Sequence, residues 1–150
     1  MSQAPLKLLA RDQQDVEVLS AILQDAVVPV SGLVYRAEEQ RFQACLCRFC
    51  WDELPDPAGQ EGDSQARPVC YERIRCTLDI HGAEGVKICG FDPANGSLML
   101  DLLALLVDSQ GLSLVFAGGG KIGIRAAKWE IRMQDYGESW PTHQKPSHPA

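Results

Sequence analysis

Polar and apolar positions alternate through most of this chain, and a helical spacing breaks that alternation near the N-terminus. Leu6 and Leu8 flank Lys7 as a short strand would. Val16, Leu19, Ile22, Leu23 and Ala26 then recur at helical intervals, predicting one amphipathic helix over residues 13–24. Asp12 supplies the N-cap, and Asp15 places a carboxylate in the first turn, where free amides attract it. Pro29 belongs to a short extended piece, Ser31-Gly32 to a turn, and Leu33–Arg36 to a strand. After the polar turn Ala37–Gln40 comes a long strand, Arg41–Trp51. The cleanest strand is 70–80. Cys70, Ile74, Cys76, Leu78 and Ile80 share one face, interrupted by Glu72, and Tyr71, Arg73, Arg75, Thr77 and Asp79 share the other.

The second half reads as strands and turns. His81–Gly85 makes a turn, and Val86–Phe91 returns from it. Asp92-Pro93-Ala94-Asn95-Gly96 is a turn cluster. Leu98–Val107 is leucine-rich, which favours helix, but its flanking turns and strand context predict a strand. Leu112–Ala117 and Lys121–Met133 are joined by Gly118-Gly119-Gly120. Ile122, Ile124 and Ala126 fall on even positions, whereas Trp129, Ile131 and Met133 fall on odd ones. A strand cannot change phase without an extra residue, so a bulge or break is expected near Ala127. The pattern lapses from Gly137 onward, so residues 137–150 are expected to form a mobile tail.

These elements predict a β-dominated α+β domain. One N-terminal helix accompanies about eight strands, arranged as a curled antiparallel sheet or partly open barrel. Helices do not alternate with the later strands, which excludes a doubly wound fold. Residues 1–136 form the expected globular domain. Within it, residues 52–68 carry Pro55, Pro57, Pro68 and five acids, and are expected to form a flexible loop dispensable for folding.

Composition narrows the function classes. A chain of 150 residues suits one core better than two. Fourteen basic side chains against twenty acidic ones leave a net charge of −6, which argues against nucleic acid and against an anionic membrane surface as partners. The start, Met1-Ser2-Gln3-Ala4-Pro5, lacks the basic and apolar regions of a signal peptide, and the apolar run Leu102–Val107 is far too short to span a bilayer. The expected location is the cytoplasm, with the six cysteines as reduced thiols.

Three stretches carry a family resemblance: Leu23-Gln24-Asp25-Ala26, Arg48-Phe49-Cys50-Trp51, and Phe116-Ala117-Gly118-Gly119-Gly120 followed by Ile122. With the opening Leu6-Lys7-Leu8, they resemble the bacterial, largely alphaproteobacterial, family called domain of unknown function 2948. The likeness covers most of residues 5–141, although the loop 52–68 is longer than the family leads one to expect. The resemblance implies a small bacterial cytoplasmic protein without assigned activity, and supplies no functional residues.

The residues themselves offer few catalytic constellations. Cys45, Cys47 and Cys50 lie within one strand, on both of its faces, so they do not converge on zinc and read as small core hydrophobes. No helix start stands beside Cys47 and Cys50 to activate a redox pair. Gly118-Gly119-Gly120-Lys121 leads into a strand rather than a helix, and so is a hairpin turn rather than a phosphate loop. His81 ends a strand and reads as a surface histidine, while His143 and His148 lie in the tail. Asp101 is expected either to face water from an edge strand or to pair with an arginine such as Arg125. No metal and no cofactor is expected. The function these features favour is a non-catalytic binding module. Tyr71, Arg73 and Arg75 form its partner-contact strip, for an unknown protein partner or an anionic small molecule. The alternative is a small-molecule-binding protein or minor enzyme with its pocket in the mouth of the curled sheet.

Overall fold

The computed structural model describes residues 6–49 and 71–142, without the side chains of 71, 72 and 137–142. The acidic loop 52–68 and residues 143–150 therefore lie outside the described residues.

Helix α1 spans Gln13–Leu23. The Asp12 side chain accepts the Asp15 amide at 2.8 Å, and the Asp15 carboxylate accepts the Arg11 amide at 3.0 Å. The first turn is thus capped from both sides. Val16, Leu19 and Leu23 are buried, and Ile22 sits at the margin of the stripe. The helix ends where Asp25 turns left-handed, at φ 67°. The Asp25 amide donates to the Leu102 carbonyl at 2.7 Å, and the Leu102 amide donates to the Ala26 carbonyl at 2.9 Å, which ties the helix exit to the sheet.

The strands are β1 (Lys7–Ala10), β2 (Val27–Pro29), β3 (Leu33–Arg36), β4 (Arg41–Phe49), β5 (Tyr71–His81), β6 (Gly85–Cys89), β7 (Met99–Asp108), β8 (Gly111–Phe116), β9 (Lys121–Arg125) and β10 (Glu130–Thr142). They form one ten-stranded antiparallel sheet in the order β1-β10-β5-β4-β2-β7-β8-β9-β6, with β3 also on β4. The outermost strands, β1 and β6, do not pair with each other, so the sheet stays open and is not a barrel. Strand β7 spans two regions. Its first residues pair with β2, and from Leu102 it pairs with β8, across a register shift between Leu102 and Ala104.

The leucine-rich segment 98–107 is a strand, as its context predicts, because β2 and β8 pair with it and their ladders override leucine's helical preference. The expected break near Ala127 is present as four non-strand residues, 126–129, between β9 and β10. The β-dominated α+β class holds, with ten strands where about eight are expected, because short β2 joins the sheet and the segment 121–133 splits in two. Two expectations are corrected. β6 does not return along β5 but pairs with β9 at the far edge. The amides of Gly82 and Ala83 both donate to the Gln40 carbonyl, and the Glu84 amide donates to the Arg125 carbonyl, steering the chain across. Finally, β10 continues to Thr142, beyond the point where the alternation lapses. A register shift between Tyr136 and Trp140 hides the pattern there.

One hydrophobic core unites the molecule. Phe42, Leu46, Leu78, Ile80 and Met133 from one region meet Leu102, Leu105, Leu112, Leu114, Ile122 and Ile124 from the other. The buried stripe of α1 belongs to the same cluster. The helix packs chiefly on β7 and also reaches β1 and β4. The Ser20 hydroxyl accepts the Leu105 amide at 2.9 Å, joining the helix to the irregular stretch of β7. No helix among the described residues is long and apolar enough to cross a membrane.

Candidate functional site

The side chains of β4, β5 and β10 that point away from the core form a face whose rows follow from register. Arg41, His81 and Glu130 make the first row; Gln43, Asp79 and Arg132 the second; Cys45, Thr77 and Gln134 the third; Cys47, Arg75 and Tyr136 the fourth. Phe49, Arg73 and the backbone of Trp140 follow.

The first two rows neutralise themselves. Arg41 donates from Nε to Asp79 Oδ1 at 2.9 Å and from Nη2 to Oδ2 at 2.7 Å, a bidentate pair. His81 Nε2 lies 3.3 Å from Asp79 Oδ2. Burial pushes the Asp79 carboxyl up, but the Arg41 hydrogen bonds and the charges of His81 and Arg41 outweigh it and hold the group below its ordinary range. Glu130 bridges Arg11 at 3.0 Å and Arg132 at 3.4 Å. His81 thus borders an ion-pair cluster at the surface.

The lower rows are different. Arg73 lays its guanidinium over the Phe49 ring, 5.6 Å from the centroid, and its Nη1 is buried without a hydrogen-bond partner among the described residues. Arg75 is exposed beside Tyr136, itself 41% exposed. Neither arginine forms an ion pair among the described residues. Cys47 lies within reach of both: burial raises its thiol, and the charges of Arg75 and Arg73 pull it partly back. Burial likewise raises the Tyr136 hydroxyl, with Cys45 close enough to add to the effect. The structure therefore brings Arg73 and Arg75 together on one face. Tyr71 shares their strand, opposite Thr142, but its side chain lies outside the described residues. Tyr136, Cys45 and Cys47 complete the surface. Their signal was the same alternation, since Tyr136 is in phase with Arg132 and opposite to Ile131 and Met133.

On the core side of the same strands, Arg48 and Asp135 meet. Arg48 Nε donates to Oδ1 at 2.9 Å and Nη2 to Oδ2 at 2.8 Å, with side chains 1% and 0% exposed. Asp135 Oδ2 also accepts the Leu6 amide at 2.9 Å, and the Asp135 amide donates to the Leu6 carbonyl. Cys76 is paired directly with Asp135, and burial, with the Asp135 charge, drives its thiol strongly upward. Both carboxylate oxygens are engaged in the core, so the pair ties β4, β10 and the entry to β1 together.

Other expectations resolve locally. Of the described cysteines only Cys76 is a core residue; Cys45 and Cys89 are exposed and Cys47 is half-buried, because their phase is that of the outer face. Cys50 and Cys70 lie outside the described residues. Asp101 is on an interior strand, not an edge, and is half-buried opposite Val27. Arg125 does not pair with it and instead donates to the Glu84 carbonyl at 3.3 Å. The three glycines do turn a hairpin: Gly118 and Gly119 take φ 85° and 96°, which favour glycine, and the Phe116 amide donates to the Gly120 carbonyl. Among the described residues no group of three or more His, Cys, Asp or Glu is arranged to hold a metal ion.

An open ten-stranded antiparallel sheet packed against one capped helix defines a β-dominated α+β domain. The chain belongs to the protein-of-unknown-function family DUF2948, whose model matches residues 6–148. No curated protein and no solved structure matches it. The stretches that carry the resemblance converge in space. Ala26 bonds to Leu102, Leu102 pairs with Phe116 before the glycine turn, and Val27 pairs with Cys47 beside Arg48.

Proposed function

We propose that this protein is a non-catalytic binding module that uses the lower outer face of β4, β5 and β10 to grip an acidic surface of a protein partner. One observation carries this reading. In a protein with twenty acidic side chains, Arg73 and Arg75 have no carboxylate partner among the described residues, while Arg41 on the same face is engaged bidentately. Two arginines without an ion-pair partner among the described residues, beside Phe49 and Tyr136, have the composition of an interface centre, where arginine and tyrosine are enriched. Stacking on Phe49 limits the freedom that the Arg73 guanidinium loses on binding. We take the setting to be the bacterial cytoplasm, where the thiols of Cys45 and Cys47 stay reduced.

The test compares tagged wild type with an Arg73→Glu, Arg75→Glu double variant, captured from native cytoplasm and read by mass spectrometry. The expected result is a partner with an acidic surface, retained by wild type, lost from the variant and released by salt, with the melting temperature nearly unchanged. An unaltered partner list, or a loss that merely follows unfolding, contradicts the reading.

A further inference from the structure

A second cationic surface lies at the opposite end of the sheet, where β6, β9 and β8 turn their outer side chains to a groove of about 590 Å³. Register again sets the rows. Gly85, Arg125 and Gly111 form one; Lys87, Gly123 and Ser113 the next; Cys89, Lys121 and Val115 the third. Lys121 and Arg125 therefore stand roughly 13 Å apart along β9, with Lys87 beside the gap between them. All three are exposed, and none forms an ion pair among the described residues. Arg125 lies flat over Gly85, where an added Cβ would sit 3.3 Å from its Nη2. Among the described residues Asp108 is the one acid in the lining. It is already engaged: it accepts the Ser113 hydroxyl at 2.6 Å and the amides of Gln110 and Gly111 at 2.9 and 3.0 Å.

Gly123 occupies the floor between these cations, and the fold does not require a glycine there. Its φ is not positive, and a Cβ would find no neighbour nearer than 3.9 Å, the Lys87 carbonyl oxygen. Glycine weakens the middle of a strand, so a side chain here would favour the sheet. What the glycine does provide is an open floor, flanked by three positive charges in an acidic protein.

We propose that this groove binds a compact phosphate-bearing polyanion, of the class of sugar phosphates and inorganic diphosphate, seated over Gly123 between Lys87, Lys121 and Arg125. Two lysine ammonium groups supply compact, mobile point charges and Arg125 a planar fork that matches phosphate oxygens, so the three together suit a small anion of high charge density. Among the described residues no aromatic side chain lines the groove, which therefore offers no stacking platform for a base. The ligand class is thus phosphate on a small polar body rather than a nucleotide or a nucleic acid.

Inorganic diphosphate is the probe, titrated by calorimetry into the full chain at low ionic strength. Saturable binding of one diphosphate per chain is expected. Lys87→Gln and Lys121→Gln should each weaken it about tenfold or more. Gly123→Thr should weaken it at least as much while leaving the melting temperature equal or higher, because the added side chain fills the floor and favours the strand. The Arg73→Glu, Arg75→Glu variant should bind diphosphate as wild type does, which separates this site from the partner-contact face. The proposal is overturned by absence of saturable binding, by full binding in Gly123→Thr, by citrate binding as tightly as diphosphate, or by a single-stranded RNA binding in its place.

Discussion

Two arginine–aspartate pairs of the same design sit on opposite sides of one sheet. Arg41 and Asp79 bond through two nitrogens at 2.9 and 2.7 Å with side chains 30% and 15% exposed, whereas Arg48 and Asp135 bond at 2.9 and 2.8 Å at 1% and 0%. The bonding is the same and the surroundings are not. Water screens the first pair and would solvate either partner if the other were lost. Around the second pair, removal of one partner leaves a charge in the core with no solvent to receive it. The geometry of a salt bridge therefore says little about its weight in folding until its burial is known.

The largest expected effect comes from breaking the buried pair. Arg48→Met or Asp135→Ala alone should cost about 3–5 kcal/mol, measured as a lower denaturant midpoint at unchanged slope. Replacing both, Arg48→Met with Asp135→Leu, should recover much of that loss. It should not recover all of it, because the Leu6 amide loses its acceptor. If the double variant is no better than either single one, the buried pair contributes more than mutual neutralisation.

Arg41→Gln or Asp79→Asn should cost a small fraction of the buried-pair loss, and high salt should shrink it further, while the Arg48→Met loss should hardly respond to salt. An Arg41 loss as large as that of Arg48, and equally indifferent to salt, would erase the contrast.

Acid titration sharpens the comparison on the exposed side. Asp79, Glu130 and Asp108 all have carboxyls held below their ordinary range in the folded protein, Glu130 chiefly by its bond from Arg11 and Asp108 chiefly by Ser113. Their contribution is therefore present above the unfolded carboxylate range, and is lost as pH falls through the lower folded values. Wild type should lose stability below about pH 4 more steeply than Asp79→Asn does. Equal acid slopes would remove Asp79 from the account.

The smallest effect is kinetic. A maleimide should label Cys45 and Cys89 rapidly in the folded protein, while Cys76, buried beside the Arg48–Asp135 pair, should react only when that region opens. Arg48→Met should speed Cys76 labelling far more than Arg41→Gln does.

Much of the fold was legible because period two and period 3.6 report which face a residue takes. The Asp12 cap, the stripe of Val16, Leu19 and Leu23, the alternation of 74–80 and the phase change before β10 all follow from local geometry. Alternation does not name a strand's neighbour, so nothing in Val86–Cys89 showed that it would join β9 instead of β5. The candidate face was half legible for the same reason. Arg73 and Arg75 share a strand and so share a face, but Cys47 and Tyr136 join them only through register. Arg48 and Asp135 each occupy a core phase, and their pairing spans the length of the domain. The groove around Gly123 needed three strands, one of them, β6, separated from the other two by β7 in the chain, and no single stretch carries it.

Strand β10 pairs with β5 on one side and β1 on the other, and carries Asp135 to both Arg48 and Leu6. A ribosome makes these pieces in the wrong order for early closure. β1 is made before β5, and β5 follows with one edge open, yet the strand that covers both is made after them. Until it arrives, Arg48 lacks its carboxylate, and two strand edges stand ready to pair with other chains. The nascent protein is therefore open to aggregation until β10 is released, and a chain truncated before Glu130 should give a lower soluble yield than one truncated after Thr142.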